Sequence, residues 1–190
     1  MKKNLLISVL MTIVTTILLG IIYPLVVTGF SQLFFKDKAN GQLITQNGQV
    51  IGSRIIGQGF TGPAYFHSRP SSAGAGYDAA NSNGSQLGPT NHALVDRVKA
   101  DVATDQADHP GEPVPIDLVT TSASGLDPDI TPAAAQFQIA RVARERGISE
   151  TQLRELIQQH TADRQFGFLG EPRVNVLELN LDLDARFPKK

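Results

Sequence analysis

No charged residue occurs between Lys3 and Lys36, and 15 of the 23 residues from Leu5 to Val27 are Leu, Ile or Val. A helix rises about 1.5 Å per residue, so about 20 apolar residues cross the hydrocarbon core of a bilayer. A cleaved secretory signal carries a shorter apolar region, about 7–15 residues, ahead of a small-x-small cleavage site. This run is longer, and no Ala-x-Ala follows it. The sequence therefore predicts an uncleaved signal anchor. Residues 1–35 form a cytoplasmic tip and transmembrane helix, and residues 36–190 one extracytoplasmic domain. Lys2 and Lys3 balance Lys36 and Lys38 across the run, leaving the α-amino group and Asp37 to favour the N-terminus inside.

Within the run, Ser8, Thr12, Thr16, Gly20, Pro24 and Thr28 recur at every fourth position. Small residues let helix backbones approach closely in lipid, where association depends on packing and hydrogen bonds rather than on the hydrophobic effect. The plainer alternative is that the hydroxyls bond back to carbonyls one turn earlier and face lipid. A lone anchor needs no such ridge, which favours a membrane partner met at Ser8, Thr12, Thr16, Gly20 and Pro24.

The rest of the chain sets further bounds. With 190 residues there is room for one domain of ordinary size beside the anchor. The absence of cysteine removes disulfides, zinc-thiolate sites and cysteine nucleophiles. A formal charge of −1 without a basic cluster removes nucleic-acid binding.

Gln46-Asn47-Gly48 between two apolar patches predicts a tight hairpin. A Gly/Ser/Asn-rich stretch from about residue 57 to 90 is longer than a compact domain normally leaves unstructured, and its Tyr65, Phe66, Arg69 and Tyr77 suit a docking loop. Thr90 or Asn91 can cap a helix carrying Leu94, Val98 and Val102 on one face. Thr131-Pro132 opens a helix running to Gly147, and Ser149 with Gln152 forms a capping box for another that ends near His160. From Val174 to Leu183 apolar and polar residues nearly alternate, which argues for a half-buried strand, with a helix capped by Asn175 as the alternative. The fold class is α+β.

Motifs for chemistry are weak. Gly57-Gln58-Gly59-Phe60-Thr61-Gly62 fits G-x-G-x-x-G, but Pro63 and Pro70 deny it the following helix that would face a pyrophosphate. Ser122 and Ser124 lack the G-x-S-x-G and S-x-x-K contexts. His67, His92, His109 and His160 do not stand at metal-ligand spacing. Asp127 and Asp129 flank Pro128 and read as a turn ahead of a helix rather than an acid/base pair. The sequence predicts no catalytic, cofactor or metal site.

Longer motifs carry a resemblance. Tyr65-Phe66-His67-Ser68-Arg69-Pro70-Ser71, Gly84-Ser85-Gln86-Leu87-Gly88-Pro89-Thr90-Asn91 and Val114-Pro115 through Leu126-Asp127-Pro128 are three of them. Arg141-Val142-Ala143 and Gly170-Glu171-Pro172-Arg173-Val174-Asn175-Val176-Leu177 complete the set. Together they resemble the KdpC family, the C chain of the bacterial high-affinity potassium-transporting ATPase. The family often has Gly-Gly-Ser-Asn where this chain reads Asn83-Gly84-Ser85-Gln86. The resemblance implies a non-catalytic accessory subunit in the inner membrane, with no cofactor of its own. A channel-like subunit would select potassium and a P-type ATPase subunit would hydrolyse ATP, so that ATP, Mg and K ions belong to the complex. Assembly, ion entrance or a chaperone-like rise in nucleotide affinity are the roles it implies. Within the shared motifs, Ser85 and Asn91 join Tyr65, Phe66, Arg69 and Tyr77 as extracytoplasmic interface candidates. A membrane-anchored hydrolase using Ser122 or Ser124 and an envelope-binding module are the alternatives.

Overall fold

The computed structural model describes residues 2–188 and divides into two compact units, one ending at Ile51 and the other beginning at Gly52.

The first unit is built on one apolar helical rod, Lys2–Phe34, long enough to cross a membrane. It consists of α1 (Lys2–Thr15), a π-helical segment (Thr16–Ile22) and α2 (Tyr23–Phe34). Widening at this place has a local cause. Pro24 has no N–H to give and its ring crowds the carbonyl four residues earlier, while Tyr23 N–H bonds the carbonyl of Leu18, five residues back. After a single-turn helix, α3 (Lys36–Ala39), the strands β1 (Leu43–Gln46) and β2 (Gln49–Ser53) pair through Asn47 and Gly48. Their φ values of 52° and 79° are the successive left-handed residues of the predicted hairpin turn.

In the second unit, a 3₁₀ turn (Ala79–Asn81) interrupts the long Gly/Ser/Asn-rich tract before α4 (His92–Asp108). Asn91, rather than Thr90, caps α4, accepting from Ala93 N–H at 2.9 Å. Next come α5 (Ile116–Val119), β3 (Asp129–Ile130), α6 (Pro132–Phe137), α7 (Ile139–Arg146), α8 (Glu150–Gln159), β4 (Thr161–Ala162), β5 (Arg173–Asn175) and α9 (Val176–Arg186). A small antiparallel sheet of order β3-β5-β4 centres on the fully buried Val174, which faces Ile130 on one side and Thr161 on the other. Against it, Ile139 and Val142 of α7, Leu153, Leu156 and Ile157 of α8, and Leu179 and Leu183 of α9 form one apolar core. Phe66, from the long tract, completes it.

One expectation needs correction, and one pair of alternatives is resolved in favour of the helix capped by Asn175. The helix opened by Thr131-Pro132 does not run unbroken to Gly147. It stops at Phe137 and restarts at Ile139, with Gln138 at ψ −7° between them. The Gln138 side chain is buried and donates to the carbonyl of Ala134, competing with the helical ladder there. The alternating run after Val174 is a strand only to Asn175. The Asn175 carboxamide then accepts from Glu178 N–H at 3.1 Å and starts α9. The buried set Val176, Leu177, Leu179, Asn180, Leu183 has helical spacing, so a polar residue faces the core while Leu181 lies further out.

Candidate functional site

Residues 63–67 turn into the first shared motif without joining a strand, and every one of them has a main-chain group held by a side chain from α7, α9 or the joint between α6 and α7. Arg141 Nη1 donates to the carbonyls of Pro63, at 2.5 Å, and Tyr65, at 3.0 Å. Arg146 Nε donates to the carbonyl of Ala64 at 2.7 Å. Asn180 accepts from Phe66 N–H and donates to Phe66 C=O, both at 2.9 Å. One residue on, Gln138 does the same for His67, accepting at 2.7 Å and donating at 3.1 Å. The two carboxamides act as strand partners with one rung each. A buried stretch with no neighbouring strand must find such partners, because burying unpaired main-chain groups is costly.

The pairing of Arg146 is correspondingly complete. Its side chain is 1% exposed, and it donates to Asp184 Oδ1, Phe187 C=O and Ala64 C=O at 2.7–2.8 Å. Its guanidinium carbon stands 4.8 Å from the centre of the Tyr65 ring. A buried charge is tolerated only when its donors are met in this way. The Tyr65 hydroxyl donates to the other Asp184 oxygen at 3.0 Å.

Downstream, Arg69 reaches Thr120 C=O at 3.3 Å and Asp127 Oδ2 at 3.1 Å. Tyr77, at φ 56°, sends its hydroxyl to the Arg69 carbonyl, and its N–H bonds Ser71 Oγ at 2.8 Å. Ser71 Oγ in turn donates to Gly125 C=O at 2.6 Å. Close backbone approach explains two glycines here. A Cβ on Gly57 would stand 2.6 Å from Asp127 O, and one on Gly125 would stand 2.5 Å from Asn83 O. Gly57 of the G-x-G-x-x-G match thus fits against the chain's own backbone.

The candidate docking residues therefore sit in different places. Phe66 is 0% exposed and has no surface to offer. Tyr65, Arg69 and Tyr77 are half-buried with their polar atoms engaged internally. Asn91 is an exposed helix cap, and Ser85 borders an open groove with Asn83, Gln86 and Ser122. On the anchor, Ser8 and Thr12 hydroxyls bond back to Leu5 and Ser8 carbonyls at 2.9 Å, and Gly20 and Pro24 are exposed. A four-residue step in an α-helix overshoots one turn by about 40°. The wider π turn undershoots it, winding the ridge back into line around Gly20.

A cleft of about 170 Å³ opens beside the clamped segment, lined by His67, Arg69, Tyr77, His109, Phe137 and Arg141 among others. Burial, then the nearby Arg141 charge, holds the His67 pKa below its ordinary value, against the opposing pull of the Gly62 carbonyl. Neutral His67 donates from Nε2 to that carbonyl at 3.0 Å. Burial pushes the Tyr77 hydroxyl upward. The Ser122 and Ser124 hydroxyls lie 3.4 Å from each other, while His160 pairs with Asp182 and the His109 ring packs at a tilt against Phe137. Asp127 is held by Arg69, and Asp129 by Arg173 at 3.0 Å. Burial foremost, with Asp127 adding to it, raises the Asp129 pKa against the pull of Arg173. Among the described residues no three His, Asp or Glu side chains form a metal-binding group.

Sequence reasoning overlooked Gln138, Arg146 and Asn180. A signal was available at Gln138, a polar residue set between Phe137 and Ile139, whereas Asn180 sits inconspicuously in an alternating run.

The family model described as "KdpC: K+-transporting ATPase, c chain" matches residues 5–185. A protein named potassium-transporting ATPase KdpC subunit from Koribacter versatilis is 71% identical over 188 residues, covering 99% of this chain and 97% of the relative. Proteins of the same name from Acidobacterium capsulatum and Rhodopseudomonas palustris are 57% and 53% identical. These alignments cover 93% and 97% of this chain, and 95% and 99% of the relatives.

Proposed function

Because the chain belongs to the KdpC family of potassium-transporting ATPase subunits, we propose that it is a non-catalytic accessory subunit that assists assembly of the complex and raises the nucleotide affinity of its ATPase chain. The partners in this reading are a potassium-selecting, channel-like chain and a P-type ATPase chain of the bacterial inner membrane. ATP, Mg and K ions belong to them, and this chain carries no cofactor of its own. The observation that carries the reading is the occupation of the polar side chains that gather around the first shared motif. Arg69, Arg141, Arg146, Gln138 and Asn180 hold this chain's own backbone or carboxylates, including those of them that line the cleft beside His67.

With its domain outside the cytoplasm, such a subunit cannot touch cytosolic ATP. Any effect on nucleotide affinity then runs through the membrane chains as a coupling free energy, which is reciprocal. Nucleotide binding by the ATPase chain must tighten the hold on this subunit by the same factor. The experiment is purification of a tagged copy from cells grown on limiting potassium, followed by nucleotide titration of the complex with and without the subunit. Fixed stoichiometry with larger membrane chains, together with weaker nucleotide binding once it is removed, is expected. A protein that purifies alone ends the reading, and unchanged nucleotide affinity ends its chaperone half.

A further inference from the structure

Beyond the anchor and its hairpin, apolar exposure is concentrated in one place. In the unit from Gly52 onward, the exposed large apolar side chains among the described residues are Ile55, Ile116, Phe166, Phe168 and Leu169. Three of these share one five-residue turn between β4 and β5. Phe166 is 87% exposed, Phe168 71% and Leu169 47%. An exposed leucine is ordinary, whereas two aromatic rings and a leucine together on a turn form a patch.

The turn is also fixed in shape. Gln165 and Leu169 exchange N–H to C=O bonds of 2.9 Å in both directions, and Phe168 N–H adds a bond to Gln165 C=O. Phe166 at φ 53° and Gly167 at φ 80° form the successive left-handed pair of a tight hairpin. Asn, Asp or Gly adopt the first of these positions readily, while an aromatic does so at a cost. The Phe166 ring recovers nothing by packing, because it points into solvent.

The charges at the base of the turn narrow the occupant. Asp163, Arg164, Glu171 and Arg173 sum to zero. Arg164 pairs with Glu171 at 2.5 Å, and Arg173 with Asp129 at 3.0 Å. An anionic lipid surface draws in unpaired Lys and Arg clusters, and none stands here. A second copy is the poorer match, since the clefts described in this domain set His67, Arg69 and Arg141, Ser82, Ser85 and Ser122, or Asp127, Asp129 and Arg173 where the rings would sit. An uncharged, apolar recess in another protein matches both the charge balance and the rigid shape, and aromatic anchors in such recesses dominate interface energetics.

We propose that the turn Gln165–Leu169 is a docking knob that seats in an uncharged apolar recess on the extracytoplasmic face of a membrane-embedded partner subunit. This rests on the accessory-subunit reading above. It adds a contact separate from the transmembrane ridge and from the clamped segment 63–67.

The test replaces Phe168 with the photoreactive p-benzoylphenylalanine in the full-length chain, co-expressed with the other subunits and irradiated in membranes. Illumination is expected to yield an adduct with a larger membrane chain. In parallel, the Phe166→Ser, Phe168→Ser double variant is expected to leave the complex about tenfold faster in detergent, with an unchanged melting temperature for the chain alone. A wild-type chain that does not travel with larger subunits removes the accessory reading and this contact with it. If the wild type does travel, an adduct to lipid alone, to a second copy alone or to nothing overturns the knob and leaves the accessory reading standing. Cross-linking does not depend on the stability of the serine variant, so the adduct decides the matter even if that variant folds poorly.

Discussion

Asn180 and Gln138 do at single positions what a neighbouring strand would do along its length. Each carboxamide meets both main-chain groups of one residue, and removing it leaves two polar groups in a dry environment. Such groups cost roughly 1–3 kcal/mol apiece when a partner is deleted. Asn180→Leu keeps the branching of the side chain and loses both bonds, so the domain should lose about 2–6 kcal/mol in urea unfolding of the full-length chain. A loss below about 1 kcal/mol would show that water replaces the clamp. His67, held by Gln138 on the next rung, gives the domain a pH dependence. Its folded-state pKa lies below the ordinary 6.5, chiefly through burial. The unfolded chain therefore takes up the proton first, and stability falls as pH drops through 6.5 towards the folded value. The carboxylate of Asp182 is depressed, through its His160 and Arg186 bonds outweighing burial, and titrates well below this window. His67→Gln, which retains a donor for the Gly62 carbonyl, should flatten the melting-temperature slope between about pH 7.5 and 5.5. An equal slope in wild type and variant would place the pH dependence elsewhere.

At the scale of elements, the features readable in the sequence were those whose cause is local. Asn47-Gly48 requires two left-handed residues and has them. Ser149 and Gln152 bond reciprocally at the start of α8, and Gly147 ends α7 at φ 67°. Each depends on neighbours within about four residues. What sequence reading missed was decided across longer distances. The joint between α6 and α7 exists because Gln138 turns inward to a segment 71 residues away, and no periodicity in 132–147 reports that partner. The alternating apolar pattern of α9 mimics a strand because Asn180 is required inside for Phe66, 114 residues distant. Composition likewise marks 57–90 as a loop, but gives no sign that Phe66 meets Asn180 on α9 or that Arg69 and Ser71 meet Asp127 and Gly125 in another loop. The turn at Phe166 drew no reading from the sequence, because exposure, the property that singles it out, belongs to the folded domain alone.

For the whole molecule, the accessory reading requires the domain and the N-terminus on opposite sides of the membrane. The sequence offers only a narrow preference, since Lys2 and Lys3 are matched by Lys36 and Lys38. Basic charge beside the span, more than total charge, sets orientation, and with the two sides matched the inside position of the N-terminus is the expectation to be measured. The helix Lys2–Phe34 is long enough to span with some tilt. Because the chain has no cysteine, a single introduced thiol reports its side of the membrane without interference. Thr104 lies exposed on α4, and Asn4 is exposed near the start of α1. In intact spheroplasts, a membrane-impermeant maleimide should label Thr104→Cys fully, and Asn4→Cys only after permeabilisation. The reverse pattern would put the domain in the cytoplasm, where contact with nucleotide becomes direct and the transmembrane coupling argued above is unnecessary. Labelling of both thiols in sealed cells would mean that the helix does not span at all.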